Sequence, residues 1–324
     1  AGDTSTDRVA VIAKRLIKSC IPVSAAAIVV NLSSFIDLIT IPRCLNFALS
    51  SDPGYFTACF SDIIKAQGGA VRLANFMYGS YTGLSWTMFM LIPSFTAMFG
   101  RSALPQIAGA WTLGNRKEFE RKVTVVLRSN FVIGFPLYLG LSAMSRQILE
   151  FLFSGRQQEV SVSVTSLFIL GLGGVFLTLS STFISIFQVI GRSDLPVKLM
   201  LPGCAVKLIF NVFTISVPAI NINGAAVSTV IMYAAVALGG YFALENVTGI
   251  DFHIIRRMAV PLSAGIVCAV VSRIVYGFVG ESVNAVAALF LPIASGGAVY
   301  IILLIIFNEI NLKSLLNRQK RKKF

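Results

Sequence analysis

The chain has 324 residues, of which 56% are hydrophobic and only 13% are charged, and its mean hydropathy is +0.80. Soluble domains carry roughly 25% charged residues, so this composition excludes a water-soluble fold and predicts an all-α polytopic membrane protein. The net charge of +13 is spread over many segments and is not interleaved with aromatic residues, which argues against nucleic-acid binding. It indicates contact with anionic membrane lipids instead.

The spans are predicted from about eight apolar stretches, each close to the 20 residues that a helix needs to cross a bilayer. Backbone groups in lipid must be hydrogen-bonded within the segment, so stretches of this length predict helices. Residues 55–65, between the first two spans, predict a short amphipathic helix on the membrane surface. The predicted spans are 19–42, 81–103, 130–149, 162–190, 196–217, 223–244, 258–279 and 284–307.

The orientation is predicted from the basic residues, because short cytoplasmic loops carry an excess of Lys and Arg. A cytoplasmic N-terminus places most basic residues on that side, including a cluster in the predicted loop 113–128. We therefore expect a multi-pass protein of the cytoplasmic membrane with both termini cytoplasmic. The N-terminal segment 1–18 and the basic tail 308–324 lie on the same side in this interpretation.

Two charged residues fall deep inside predicted spans, where an ionised side chain needs a partner. Asp37 is the only acidic residue in such a position, and Lys207 lies one helical turn before Asn211 on the fifth span. We predict that Asp37 and Lys207 form an ion pair. A purely structural Asp37, or a Lys207 nearer the membrane boundary, remains an alternative. The helical neighbours of Asp37 add a polar stripe: Ser33, Ser34 and Thr40.

Arg101 ends the second predicted span, where its side chain either reaches the membrane interface or faces a central cavity and contacts a pyrophosphate. The sequence contains no catalytic triad pattern, metal-ligand cluster or phosphate-binding loop in a plausible setting. We therefore expect no enzymatic activity, no cofactor and no metal site. Gly171, Gly173 and Gly174 lie inside one span, which indicates close packing between helices.

A series of motifs resembles the second half of flippases of the multidrug/oligosaccharidyl-lipid/polysaccharide superfamily, in particular polysaccharide exporters of the stage V sporulation protein B type. Their order and spacing extend over nearly the whole chain. The motifs are a basic cluster and Pro22 before Asp37, followed by Tyr78–Gly83, Ala103–Ala108, Phe187–Pro196, Lys207–Asn211 and Ile222–Thr229.

The resemblance implies that the spans are helices seven to fourteen of a fourteen-helix flippase, so that a first lobe is missing from this sequence. Residues 19–244 would form the six-helix C-terminal lobe, and residues 245–307 two additional helices. The implied substrate is an undecaprenyl-pyrophosphate-linked saccharide, which the protein would translocate across the cytoplasmic membrane. The implied cavity residues are Asp37, Arg101, Lys207 and Asn211.

Some relatives bind sodium with a carboxylate, an Asn/Asp pair and a threonine, and the matching positions here are Asp37, Lys207 with Asn211, and Thr229. Asp37, Asn211 and Thr229 are therefore the ion-coupling candidates. Lys207 departs from the pattern, because its ammonium would take the place of the cation; this favours a built-in ion pair or proton coupling. Two other functions remain open, a cation-coupled multidrug exporter and a non-transporting membrane scaffold. The two C-terminal spans argue against the exporter.

Overall fold

The computed structural model describes residues 31–69, 72–101, 103–279 and 283–307, with the backbone alone for 97–101. These residues are helical with short connections and contain no strand, so the predicted all-α polytopic fold is confirmed. The elements are α1 (Asn31–Ser51), α2 (Pro53–Gln67), α3 (Leu73–Ser80), a π-helical segment (Tyr81–Trp86), α4 (Thr87–Arg101), α5 (Leu104–Thr112), α6 (Arg116–Ala143), α7 (Ser145–Leu152), α8 (Gln157–Val189), α9 (Asp194–Ile215), α10 (Asn223–Thr248), α11 (Ile254–Val279) and α12 (Ala285–Ile306).

Seven of the described helices are long and apolar enough to cross a membrane, namely α1, α6 and α8 to α12. The last five agree closely with the predicted spans. The second predicted span, 81–103, begins eight residues too late: α3, the π segment and α4 follow one another without a break from residue 73 to residue 101. The first predicted span, 19–42, falls partly outside the described residues, and its helix continues to Ser51 because the buried Leu45 and Ala48 extend the packed face past Pro42.

The predicted loop 113–128 is wrong for most of its length, because α6 already begins at Arg116. The Asn115 side chain caps this helix by accepting a hydrogen bond of 3.1 Å from the Glu118 backbone N–H. Phe119 and Val123 are buried, so packing stabilises a helical conformation in a stretch whose charged residues had predicted a loop. After Ala143 the chain continues as the short helix α7.

The predicted amphipathic helix at 55–65 is present as α2. Asp52 caps it by accepting a hydrogen bond of 3.0 Å from the Tyr55 backbone N–H. Phe56 and Ile63 on its apolar face are buried in a core shared with α1, α3 and α4. Protein therefore covers this face, where the sequence had predicted contact with the membrane surface.

The centre of the bundle is α8, which packs against α6 on one side and α10 on the other. A Cβ atom on Gly171 would lie 2.8 Å from the backbone nitrogen of Ser142, and one on Gly174 would lie 2.1 Å from the ring of Tyr138. A Cβ atom on Gly173 would lie 2.2 Å from the Val230 side chain of α10. The predicted close helix packing is confirmed. Outside this bundle, α11 packs against α6 and α12.

The order of the helices predicts a membrane topology that can be tested. Leu113 and Ser154 are exposed and lie before α6 and after α7, so one membrane crossing separates them. In a cysteine-free background, Leu113→Cys and Ser154→Cys are expected to react with a membrane-impermeant thiol reagent from opposite sides, with Leu113→Cys on the cytoplasmic side. Ile220→Cys, between α9 and α10, is the control and reacts from the same side as Ser154→Cys. Labelling of the first two from one side would contradict the topology.

Candidate functional site

A buried ion pair connects α1 to α9. The Nζ atom of Lys207 lies 2.6 Å from Oδ2 of Asp37 and also donates a hydrogen bond of 2.8 Å to Oγ of Ser33. The exposed fraction is 0% for Lys207 and 5% for Asp37. The ion pair predicted from two isolated deep charges is therefore present, and Lys207 lies well inside its helix.

Asn211 extends the network to α10. Its Nδ2 donates to Oδ1 of Asp37 at 3.0 Å and to Oγ1 of Thr40 at 2.9 Å, while its Oδ1 accepts a short hydrogen bond from Ser228. Both carboxylate oxygens of Asp37 thus accept N–H donors. A buried carboxylate and a buried ammonium are tolerated in such a setting because each is paired and hydrogen-bonded.

The π segment supplies an aromatic wall to the network. The Lys207 ammonium lies over the ring of Trp86, 5.7 Å from its centroid, a favourable cation–π geometry. Ser85 donates to the Ser163 carbonyl at 2.8 Å and Ser163 donates to the Ser80 carbonyl at 3.0 Å, which fixes this segment against α8. Wider π-helical turns inside α-helices occur frequently at functional sites.

Two glycines bring α9 and α10 close enough for these contacts. A Cβ on Gly203 would lie 2.8 Å from the Val236 side chain, and one on Gly224 would lie 2.8 Å from the backbone nitrogen of Ile215. Thr214 adds a hydrogen bond of 3.1 Å to the Gly224 carbonyl. The two close approaches lie on either side of the stretch 207–211, so they hold Asn211 opposite the start of α10.

The other predicted site residues have different surroundings. Thr229 is buried, but its hydroxyl donates to the Ala225 carbonyl at 2.8 Å, and its neighbour Ser228 makes the contact with Asn211. Ser34 is exposed on α1, away from the network face. The side chain of Arg101 lies outside the described residues, so its predicted contact with a pyrophosphate stays a prediction.

Asp37, Lys207 and Asn211 were predicted to line a cavity. The structure encloses all three in protein, with exposed fractions of 5%, 0% and 0%. Their charges and amide groups face one another. Direct contact of these residues with a substrate therefore stays a prediction, whereas their mutual contact is a property of the fold.

Sequence reasoning missed Trp86 and Ser228. Trp86 carried no distinctive signal, because it lies near the start of the predicted second span, 81–103, where tryptophan is common in membrane proteins. Ser228 precedes the conspicuous Thr229 by one residue, and neighbouring positions on a helix point about 100° apart. Choosing between them required knowledge of how α10 is rotated.

The described helices define a polytopic helical membrane protein, and its fold is similar to that of a solved lipid flippase. The chain matches a solved structure of lipid II flippase MurJ in an inward closed conformation, with a TM-score of 0.56 and 19% identity over 73% of this chain and 50% of that one. In sequence it is 22% identical to lipid II flippase MurJ of Bacillus subtilis over 243 residues, which is 72% of this chain and 44% of the relative.

A second relative is an uncharacterised membrane protein of Methanocaldococcus jannaschii, 27% identical over 153 residues, or 47% of this chain and 29% of that protein. No protein-family model matches the chain. The homology to the MurJ flippase confirms the resemblance to the superfamily that the sequence motifs indicated. The chain spans less than half the length of these two relatives.

The ion pair predicts a non-additive mutant cycle. Asp37→Asn and Lys207→Met are each expected to lower the free energy of unfolding by about 3–5 kcal/mol, because each leaves one buried charge unpaired. The double variant should lose clearly less than the sum of the two. Unfolding in lipid bicelles measures all three, and Ser34→Ala on the exposed face of α1 is the control, with an expected change within about 0.5 kcal/mol. Additive losses would show that the two charges act separately.

Proposed function

We propose that this chain forms one lobe of a flippase that moves a lipid-linked saccharide across the cytoplasmic membrane. The observation that carries the proposal is the sequence similarity to a lipid II flippase over 72% of the chain. The substrate class that follows is an undecaprenyl-pyrophosphate-linked saccharide. Arg101, at the end of α4, is the proposed cationic contact for the pyrophosphate, because guanidinium groups bind phosphate oxygens in a bidentate manner.

The helix contacts support a division of the chain into a lobe at 19–244 and two additional helices at 245–307. Within the described part of the lobe, α1, α9 and α10 are joined by the polar network, and α10 packs on α8. Of the additional helices, α11 packs on the outside of α6, and α12 packs mainly on α11. We propose that an opposing lobe completes the transporter, and that both termini are cytoplasmic.

The network has a mechanical role in this proposal. Alternating access in transporters with two lobes is largely a rocking of one body against the other. Separation of α1 from α9 would leave Asp37 and Lys207 unpaired in a medium of low dielectric constant, which is strongly unfavourable. The two helices should therefore move together, and the substrate path lies between this body and the opposing lobe.

The residues at the proposed ion-coupling position do not fit a sodium ion. Both oxygens of Asp37 accept hydrogen bonds from nitrogen donors, and the Lys207 ammonium at 2.6 Å would repel a second cation. We propose that Lys207 is a cation built into the chain, so that the lobe reaches its closed, paired arrangement without sodium. Asp37 would then bind this ammonium in place of a free ion, and Asn211 would complete the hydrogen bonds of the carboxylate.

The melting temperature of the purified protein tests this role of Lys207. The wild-type protein should melt at the same temperature in sodium and potassium salts. Lys207→Asn replaces the ammonium by an amide oxygen beside Asp37, and sodium, but not potassium, is expected to raise its melting temperature by about 2–4 °C. Lys207→Met provides no ligand and is the control. Equal stabilisation of the wild-type protein by sodium would contradict a built-in cation.

Flipping assays test the proposed lobe. Liposomes containing residues 1–324 alone are expected to leave headgroup-labelled lipid II on its original side, because a single lobe would expose the sugar and pyrophosphate to hydrocarbon. Co-reconstitution with a chain that supplies the opposing lobe should restore flipping, while that chain alone is the control. Robust flipping by residues 1–324 alone would refute the two-lobe interpretation.

A further inference from the structure

A surface groove of about 470 Å³ lies between α6, α8 and α11, at the end of the bundle where α6 gives way to α7. Its volume is within the range of roughly 300–1,000 Å³ of ligand pockets. Near Gly265, α11 approaches α6 so closely that a Cβ would lie 3.0 Å from the Leu139 side chain. Beyond this point the space between α8 and α11 is lined by Leu139, Val164, Phe168, Leu172, Ile266 and Val270.

Two arginines also line this mainly apolar groove, together with Ser142, Ser145 and Thr165. Arg146 comes from α7 and Arg273 from α11. Arg146 is exposed and lies 3.4 Å from Glu150, whereas Arg273 is exposed and forms no ion pair with any residue of the described ranges. The groove therefore has a net positive charge, and Arg273 has room to bind an anion.

The position of Arg273 along α11 matches the depth of lipid headgroups. Arg273 lies less than two helical turns before Val279, about 9 Å from the end of α11. At such a depth the long arginine side chain reaches the interface while its stem stays in apolar surroundings. The apolar part of the groove continues from Arg273 towards the middle of α11.

We propose that this groove binds one anionic glycerophospholipid, with its phosphate between Arg146 and Arg273 and one acyl chain along the apolar lining. The two guanidinium groups favour a lipid with net negative charge over a zwitterionic lipid, because among the described residues Glu150 alone forms an ion pair with either of them. The groove lies at the opposite end of α6 from its basic first turns, so the lipid belongs to the leaflet that those turns do not contact. The bound lipid fills the space between α11 and α8.

Native mass spectrometry of the protein released from nanodiscs tests the site. With equal amounts of phosphatidylglycerol and phosphatidylcholine of identical acyl chains, the wild-type protein should retain one phosphatidylglycerol. Arg146→Gln and Arg273→Gln should each lower its retention about tenfold, since each removes a charged hydrogen-bond donor. Arg256→Gln removes the same charge at the other end of α11 and is the matched control with unchanged retention.

Ala269→Phe fills the groove without altering charge and should also abolish retention. The exposed arginine variants decide the question if this variant fails to fold. Equal retention of both phospholipids by the wild-type protein would overturn the proposal, as would an equal loss in Arg256→Gln. Selective displacement of phosphatidylglycerol by undecaprenyl phosphate at the same concentration would overturn it too, because the groove would then be a site for the isoprenoid carrier.

Discussion

The pairing of one ammonium with one carboxylate, both removed from water, is the constraint on which the arrangement of α1, α9 and α10 depends. Lys207 and Asp37 are tolerable in an apolar interior only together, and Asn211 completes the hydrogen bonds of the carboxylate. Sliding either helix by one turn would break the pair. The network therefore selects one register among the many that apolar packing alone would allow, which is how a costly buried charge pair can specify a structure.

Hydropathy predicted the later part of the fold well, because α8 to α12 are long, apolar and separated by short polar breaks. Hydropathy failed where a helix is stabilised by capping or by packing against protein. The basic start of α6 is helical because Asn115 caps it and Phe119 is buried, and neither effect raises local hydropathy. The π segment at the start of the second span contains Thr82, Gly83 and Ser85 and is less apolar than α4, but hydropathy does not distinguish a π-helical turn from an α-helical one.

The ion pair of the candidate site could be predicted because two lone charges in apolar spans have few possible partners. The remaining contacts depend on helix rotation. Ser228 and Thr229 are chemically alike, and only the packing of Gly224 against α9 decides that Ser228 faces Asn211. Trp86 reaches Lys207 through the π segment, whose extra width turns the following residues relative to a regular α-helix.

The length of α8 has a consequence for movement. Its 33 residues correspond to about 50 Å, whereas the hydrocarbon core of a bilayer is about 30 Å thick. The helix must therefore tilt or project beyond the hydrocarbon. Its glycines allow direct contact with α6 and α10. Such a helix acts as a stiff lever through the lobe. A slight rotation about its middle is amplified at the membrane surfaces, while the contacts near its centre hardly change.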